Sequence, residues 1–323
     1  MNEYASSILT IDLGAIAANY RLLAERARPA VAATAIKADA YGLGVAPVSR
    51  TLWNEGCRDF FVATLDEGIE LRGLLPESRI TVLNGLIAGE PALFREYTLM
   101  PALNDLGQID EWRTDCRKNG PAPAVLHLDS GMARLGLPPA ELDKLAQDHS
   151  RLEGFELALI MSHLACADEP DESMSRRQRD DFAAALTRLP RAPASISASS
   201  GVFLGPDYLF DMVRPGVSLH GVNPRPGQPN PLRPVVRLQA KILQIRDVDT
   251  PQSVGYGATH RFAGPARLAT LAAGYADGYL RSLSGRGTAH IGETVVPVLG
   301  RVSMDLITVD VTRVPEARPG DMV

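Results

Sequence analysis

The chain has 323 residues, which is enough for one large domain or two smaller ones. Hydrophobic residues make up 45% of it and charged residues 22%, a balance typical of globular proteins that excludes disorder over most of the length. The net charge is −5, with no cluster of basic residues, which disfavours a nucleic-acid-binding surface. Only four of the 33 basic residues are lysines, so chemistry that requires a lysine amine has few candidates.

The cysteines and the N-terminus indicate the compartment. Cys57, Cys116 and Cys166 are too few and too scattered for a disulfide framework or a cysteine-based zinc site. The N-terminus lacks the basic region of a secretory signal. No stretch approaches the roughly 18 uninterrupted apolar residues of a membrane span. We therefore expect a cytoplasmic protein without membrane association and without a metal site.

Short apolar runs alternate with helical segments between about residue 30 and residue 220. The predicted strands include Val31–Ile36, Phe60–Ala63, Ile80–Leu83, Val125–Leu128, Leu157–Met161 and Ser195–Ala198. The segments with apolar residues at helical spacing include Ala46–Asn54, Glu67–Leu75, Pro139–Asp148 and Ser173–Leu189. This alternation indicates consecutive βα units and a parallel sheet. We predict an α/β fold whose N-terminal part, residues 8–225, is a (β/α)8 TIM-like barrel.

The character of the chain changes after Arg214. The proline-rich segment Asn223–Pro234 is interpreted as an irregular linker. The predicted strands beyond it are Val235–Val248, Arg267–Ala272, Thr294–Leu299 and Leu306–Val311. We predict a C-terminal all-β domain over residues 226–323, with residues 1–12 as candidates to pair with it. The final Pro-Gly-Asp turn favours a following strand, so the chain is interpreted as truncated at Val323.

One lysine occupies a special position. In Ala35-Ile-Lys-Ala-Asp-Ala-Tyr-Gly-Leu-Gly44, Lys37 ends an apolar strand and enters a loop with two glycines. Barrel enzymes place their active sites at the carboxyl ends of the strands. A solvated strand-end lysine is the simpler interpretation of an arbitrary lysine. A lysine amine withdrawn from water, however, loses its proton more readily and can form a Schiff base with an aldehyde cofactor.

The run AIKADAYGLG resembles the pyridoxal phosphate (PLP) lysine motif of the alanine racemase family. Six further segments resemble family motifs and occur in the family's order, so the resemblance covers essentially the whole chain. These segments are Asp129–Gly136, Ser162–Ala165, Arg214–Gly216, Val254–Gly257, Ala273–Gly278 and Gly300–Asp305. The roles below are what this resemblance implies.

The resemblance implies that Lys37 holds PLP as an aldimine and is one of two acid/base groups. Tyr256 would be the other, working from the opposite face of the α-carbon, as racemisation requires. Because a tyrosine is a weak base at neutral pH, His163 would assist it. Arg214 would face the pyridine nitrogen, where most PLP enzymes place a carboxylate, and would limit the ring as an electron sink. Without the resemblance, a packed tyrosine, a strand-end histidine and a turn-fixing arginine are simpler interpretations.

Further residues would bind the cofactor and the substrate. Tyr41, Ser199 and the amides of Gly216 and Val217 would hold the phosphate, although Ser197 and Ser200 are alternatives to Ser199.

The carboxylate of the substrate would meet a second group of residues. Arg134 would contact the cofactor's phenolic oxygen and the substrate carboxylate. Met304 and Asp305 would close on that carboxylate. In the family these two residues, Tyr256 and Tyr275 come from the partner subunit, which implies a homodimer with composite active sites.

The sequence departs from the family pattern at several positions. His127 stands where many members carry a lysine that becomes carbamylated, so another arrangement must orient Arg134. Ala198, Ser303 and Leu43 replace a usual asparagine, a frequent cysteine and a frequent histidine. The family also continues beyond residue 323 with a β segment that carries another phosphate-binding tyrosine.

We expect a PLP-dependent isomerase that racemises L-alanine to D-alanine for peptidoglycan by a two-base mechanism. The alternatives are a racemase of another small amino acid such as serine, or a catalytically impaired PLP-binding homologue. Arg214 disfavours a basic-amino-acid decarboxylase of the same fold type. The β-rich half with Tyr256 disfavours a non-catalytic PLP-binding protein that resembles the barrel alone.

Overall fold

A computed structural model describes residues 5–87, 89–249 and 251–323 of the chain. Backbone contacts divide the protein into two compact units. The first unit is Asp12–Val235, and the second joins Val236–Val323 to the N-terminal residues up to Ile11. The first strand, β1 (Ser7–Ile11), therefore belongs to the unit that contains the C-terminus.

Within the residues that the structure describes, nine short strands build the first unit. They are β2 (Val31–Ala32), β3 (Thr34–Ala35), β4 (Asp59–Val62), β5 (Arg79–Val82), β6 (Met100–Leu103), β7 (Pro123–His127), β8 (Glu156–Met161), β9 (Ala194–Ser195) and β10 (Met212–Val213). The strands from β3 to β9 pair in chain order, all parallel. Strand β10 pairs with β2, and the amide of Asp211, the residue before β10, donates to the Ala194 carbonyl in β9. Since β2 and β3 follow each other directly, the sheet closes into the predicted barrel.

In the described part of the chain, seven right-handed α-helices accompany these strands. They are α1 (Leu13–Ala27), α2 (Val45–Asn54), α3 (Leu65–Leu74), α4 (Pro91–Glu96), α5 (Leu106–Asn119), α6 (Pro139–Gln147) and α7 (Ser173–Leu186). Side-chain caps start three of them: Asp12 accepts from Ala15 at α1, Thr64 forms a capping box with Glu67 at α3, and Asp105 caps α5.

Apolar side chains fill the middle of the barrel. The buried cluster consists of Ala33, Phe61, Ala102, Val125, Leu159 and Met161. Its members come from the strands or the residue between β2 and β3, so alternate strand positions point inward, as a closed barrel requires. This packed interior leaves the carboxyl ends of the strands as the place for a binding site.

The second unit is an antiparallel β structure. Its strands are β11 (Val236–Ala240), β12 (Ile242–Val248), β13 (Gln252–Val254), β14 (His260–Phe262), β15 (Ala266–Leu271), β16 (Thr288–Ile291), β17 (Thr294–Leu299) and β18 (Ile307–Asp310). The main sheet has the order β12-β15-β18-β17-β16, β1 pairs with β11, and β13 pairs with β14. Ala269, Val309 and Val311 lie at the centre of its core. The all-β character predicted for this half of the chain is confirmed.

The division between the units falls between Val235 and Val236, whereas the sequence placed the boundary at 225/226. The reason is a buried amide on α1. The Asn19 side chain donates to the carbonyls of Leu219 and Arg233 and accepts from the Arg233 amide. These bonds hold the end of the proline-rich linker on the barrel.

Two further observations concern the described residues. None of their helices combines the length and apolar character needed to span a bilayer. Within the same three ranges, no group of three or more His, Cys, Asp and Glu side chains is placed to hold a metal ion.

Candidate active site

Lys37 follows strand β3 and leads into a left-handed turn. Ala38, Asp39, Ala40 and Tyr41 have φ angles of 53°, 51°, 52° and 59°. Each such non-glycine residue costs roughly 1–2 kcal/mol. Compensating hydrogen bonds run from the Ala38 amide to Glu67 Oε1 at 2.7 Å and from the Val45 amide to Asp39 Oδ1 at 2.6 Å. Such strain is typical of functional sites that the surrounding structure holds in place.

The barrel encloses a cavity of about 580 Å³, a size typical of small-ligand sites. Every barrel residue that the sequence assigned to the site lines it: Lys37, Tyr41, Arg134, His163, Ser199, Arg214, Gly216 and Val217. His127 and Asn84 line it as well. The cavity therefore combines one amine, several hydroxyl and amide groups, two guanidinium groups, two imidazoles and the carboxylate of Asp168.

Arg214 is the most deeply placed charge in this cavity, with 5% of its surface exposed. Its Nε donates to Ser195 Oγ at 2.9 Å, and its Nη2 donates to the Ser162 carbonyl. The guanidinium lies 5.5 Å from the centre of the Phe61 ring. Burial lowers the pKa of Arg214 to about 10, which leaves the group charged at neutral pH. The cavity thus contains a fixed positive charge held by neutral acceptors.

Tyr41, Ser199 and Gly216 meet at one end of the cavity. Ser199 Oγ accepts from the amides of Gly216 and Ser218, at 3.1 Å each. A Cβ on Gly216 would lie 2.1 Å from Tyr41 Oη, so only glycine permits this approach. The Gly216 amide is therefore already used by Ser199. The amide of Val217 starts a 3-10 helix, Val217–His220, where the first N–H groups have no acceptor within the helix.

The three serines that were alternative candidates for phosphate binding have different surroundings in the structure. Ser197 Oγ donates to the Tyr208 carbonyl at 2.6 Å and is buried in the barrel wall. Ser199 and Ser200 both line the cavity, and Ser199 is the one bonded to the Gly216 amide.

His163 is half-buried at the end of β8. Burial, followed by the charges of Arg214 and Arg134, lowers its pKa to about 3, so the imidazole is neutral at physiological pH. Gln178 on α7 fixes the backbone that follows the imidazole: its Nε2 donates to the His163 carbonyl, and its Oε1 accepts from the Ala165 amide. Gln178 could not be singled out from the sequence, because a glutamine in a helix is ordinary.

Arg134 lies on a loop that folds back on strand β7. Asp129 Oδ1 accepts from the amides of Gly131, Met132 and Ala133 at 2.9, 2.8 and 3.2 Å. Burial raises the pKa of Asp129, but these hydrogen bonds outweigh it, and the pKa lies below its ordinary value. The Asp129 carboxylate therefore fixes the backbone conformation of the loop that carries Arg134.

The remaining predicted residues belong to the C-terminal unit, where three loops converge. The Tyr275 amide donates to the Ser303 carbonyl at 3.1 Å, and a Cβ on Gly274 would lie 2.2 Å from the Met304 carbonyl oxygen. A Cβ on Gly300 would lie 2.9 Å from the Val254 carbonyl oxygen, next to the loop of Tyr256. The unit thereby groups Tyr256, Tyr275, Met304 and Asp305 on neighbouring loops, all with exposed side chains.

Comparison with known proteins supports one family for both units. The family model described as alanine racemase, N-terminal domain, matches residues 11–224, and that of the alanine racemase C-terminal domain matches residues 235–323. The chain belongs to the alanine racemase family. The two models together cover nearly the whole chain, so the membership rests on both units.

Individual relatives agree with this family. Proteins named alanine racemase from Rhodospirillum rubrum and Brucella abortus are 50% and 43% identical, over 99% and 97% of this chain and 87% and 83% of their own lengths. The crystal structure of alanine racemase from Bartonella henselae with covalently bound pyridoxal phosphate matches with a TM-score of 0.93 at 39% identity, covering 98% of this chain and 89% of that one. The biosynthetic alanine racemase from Pseudomonas aeruginosa matches with a TM-score of 0.90 at 34% identity, covering 98% of this chain and 89% of its own.

Proposed function

We propose that the protein is a PLP-dependent alanine racemase that interconverts L- and D-alanine. The observation that carries this proposal is the shared cavity of Lys37 and the buried Arg214, with Tyr41 and Ser199 at one end. Family membership supports the same activity. The protein would act in the cytoplasm and supply D-alanine for peptidoglycan.

The residues of the cavity fit pyridoxal phosphate. Tyr41 Oη and Ser199 Oγ, with the Val217 amide, are donors suited to a phosphate, and the absent Cβ of Gly216 leaves the space in which Tyr41 approaches. The 580 Å³ cavity holds a ligand of this size. When bound, the cofactor supplies an aldehyde for the Lys37 amine and a ring that stabilises negative charge on the substrate α-carbon.

Arg214 would set the reaction type. Its guanidinium is fixed by Ser195 and Ser162 and remains charged. Such a group would hold the ring nitrogen by a hydrogen bond without giving up its proton. The ring would then be a weaker electron sink, which would favour return of a proton over elimination or transamination.

Two groups would move the proton. Lys37 Nζ would take or return it on one face of the α-carbon, and Tyr256 Oη would do so on the opposite face, assisted by His163. A pair of acid/base groups is needed because inversion requires removal on one face and delivery on the other. Arg134, Tyr275, Asp305 and the Met304 amide would bind the substrate carboxylate.

The acid/base pair lies on two different units of the chain, and we propose that two copies exchange them in a homodimer. Each copy would complete the site of the other with its exposed Tyr256. Coexpression of Lys37→Ala with Tyr256→Phe tests this arrangement. Random pairing would restore about a quarter of the wild-type activity, because half of the dimers would contain one intact site of two. Two sites each built within a single chain would instead leave every mixed dimer inactive.

The proposed activity is tested by incubating the purified chain with PLP and a panel of L-amino acids and measuring the D-enantiomers by chiral chromatography. We expect D-alanine to form fastest, and the Lys37→Ala variant to be inactive and to lack the yellow absorbance of the bound cofactor. A preference for serine or another amino acid would overturn the substrate assignment. Absorbance that persists in Lys37→Ala would overturn the cofactor assignment.

A further inference from the structure

One buried titratable side chain of the cavity has no role in the chemistry above. His127 ends strand β7 and has 8% of its surface exposed. Its imidazole lines the main cavity and also a small adjoining recess, where Arg134 and His163 are its neighbours. A protonated imidazole would be electrostatically unfavourable here, because the guanidinium groups of Arg134 and Arg214 are both nearby.

Asn104 determines which nitrogen of His127 carries the proton. The Asn104 Nδ2 group donates to the carbonyls of Leu83 at 3.2 Å and Ala102 at 2.9 Å. The two carbonyls fix the orientation of the amide, because the reverse orientation would place oxygen against oxygen. Asn104 Oδ1 therefore faces His127 Nδ1, 2.7 Å away. An amide oxygen only accepts hydrogen bonds, so Nδ1 is the protonated nitrogen and Nε2 retains its lone pair.

The surroundings keep this imidazole neutral. Burial, and then the charges of Arg214 and Arg134, lower the pKa of His127 to about 4, against a smaller opposing effect of Asp129. At neutral pH the ring therefore presents an uncharged acceptor on Nε2. A neutral acceptor beside an arginine is stable there, whereas a second positive charge would not be.

The same ring is in contact with the loop that carries Arg134. A Cβ on Gly136 would lie 3.2 Å from His127 Cδ2, so the loop passes directly against the imidazole. The Leu137 amide donates to the His127 carbonyl at 2.8 Å, and the Asp129 amide donates to the Leu137 carbonyl at 3.0 Å. The His127 backbone is thus hydrogen-bonded to one end of the turn, whose two ends are bonded to each other and whose exposed tip bears Arg134.

We propose that His127 is a positioning residue for Arg134: Asn104 holds the imidazole with its proton on Nδ1, and Nε2 accepts a hydrogen bond from the Arg134 guanidinium. Arg134 is thereby aimed into the cavity at the position where a substrate carboxylate binds. This inference rests on the proposed function for the identity of that carboxylate. The hydrogen bond between Asn104 and His127 is a property of the free protein.

The first test measures the tautomer directly and needs no activity. Long-range 1H–15N correlation spectra of the protein, with His127 assigned by comparison with His127→Gln, report the two ring nitrogens separately. We expect a pyrrole-type Nδ1 and a pyridine-type Nε2 between pH 6 and 8. In Asn104→Leu this pattern is lost. A pyridine-type Nδ1 in the parent protein would overturn the proposal.

The second test separates positioning from general support of the barrel. Propanoate carries the carboxylate of alanine without the amine, and its dissociation constant follows from the absorbance of the PLP-bound protein. We expect His127→Leu and Asn104→Leu each to raise this constant and the KM for alanine about tenfold, with kcat changed less than threefold. His127→Gln, which restores an acceptor, regains most of the affinity. Asn119→Leu, on the surface of α5, is the control and changes neither constant.

A double-variant cycle decides whether Asn104 acts through His127. If it does, Asn104→Leu has no further effect on propanoate binding in the His127→Leu background. Full additivity would show that Asn104 acts only on the barrel edge and would refute the proposal. If the parent chain binds propanoate but does not racemise alanine, the proposed function is wrong. The tautomer measurement and the double-variant cycle still test the role of His127 in that case. If the leucine variants do not fold, His127→Gln and the parent spectrum decide.

Discussion

The two units of the protein place their functional residues in opposite environments. In the barrel, Arg214 has 5% of its surface exposed and is held by buried serines, and His127 is held by a buried amide. In the C-terminal unit, Tyr256 and Met304 have 69% and 55% of their surfaces exposed. Their backbones are fixed by close contacts between loops, but their side chains have few partners within the described chain.

The two environments imply different contributions to stability and to binding. Buried polar groups must satisfy each other, so residues of the barrel site contribute to stability as well as to binding. Exposed side chains contribute little to the free energy of unfolding and remain available for another surface. Substitutions should therefore affect stability and activity together in the barrel, and activity alone in the C-terminal unit.

The largest expected effect on activity is that of Tyr256→Phe. Loss of an acid/base group lowers kcat about 10²- to 10⁴-fold, while the free energy of unfolding changes by less than about 0.5 kcal/mol because the ring is exposed. Racemisation assays and urea unfolding measure the two quantities. Exchange of solvent deuterium should fall much more from one alanine enantiomer than from the other. Tyr97→Phe is the control, and equal small losses from both enantiomers would contradict the two-base scheme.

Arg214→Met, in the barrel, is expected to lower stability as well as activity. It removes the donor to Ser195 Oγ and the Ser162 carbonyl and leaves both acceptors buried. We expect the free energy of unfolding to fall by about 2–4 kcal/mol, together with a loss of racemase activity. Arg50→Met, at an exposed position on α2, is the matched control. An unfolding curve that coincides with that of the parent would show that the buried charge does not support the barrel.

Gly216→Ala is expected to lower cofactor affinity with a smaller effect on stability. The added Cβ would meet Tyr41 Oη at 2.1 Å and displace the hydroxyl that we propose binds phosphate. We expect the PLP dissociation constant to rise about ten- to a hundredfold, as measured by titrating the apoprotein. Adding Tyr41→Phe should cost little more, since both changes remove the same group. Gly73→Ala, where a Cβ meets nothing, is the control.

The smallest expected effect concerns acid stability. The pKa of His127 is about 4 in the folded protein, so between pH 4 and 6.5 the unfolded chain binds the additional proton. Stability therefore falls as the pH drops through this window, and His127→Gln should reduce the loss between pH 7 and 5 by about 1–2 kcal/mol. Exposed His290 provides the control substitution His290→Gln. Identical pH slopes for the parent and His127→Gln would contradict the buried neutral imidazole.

The sequence was most informative where apolar runs and motifs are continuous. The βα alternation predicted the barrel, and Val235–Val248 predicted strands of the second unit, because burial of apolar side chains determines both patterns. The motif around Lys37 placed this residue at a strand end, where the structure also has it. The catalytic roles of Lys37, Tyr256 and His163 stay predictions.

Other parts of the site carry no signal in the sequence. Asn104 and Gln178 are ordinary amides, and their importance depends on which carbonyls surround them after folding. The left-handed turn at Ala38–Tyr41 could not be predicted, because alanine and tyrosine do not favour positive φ. Helix α5 is mostly polar and buries only Ile109, Trp112 and Cys116, which makes its helical pattern weak.

The carboxylate of Glu67 links two consecutive parts of the barrel. Its Oε1 accepts from the Ala38 amide, beside Lys37, and its Oε2 accepts from the Ala63 amide at the end of β4, both at 2.7 Å. The same residue caps helix α3 with Thr64. A graft of the lysine loop alone onto another barrel would therefore transfer a strained turn without its support. The smallest segment that could be transferred with its supporting hydrogen bonds is two successive βα units.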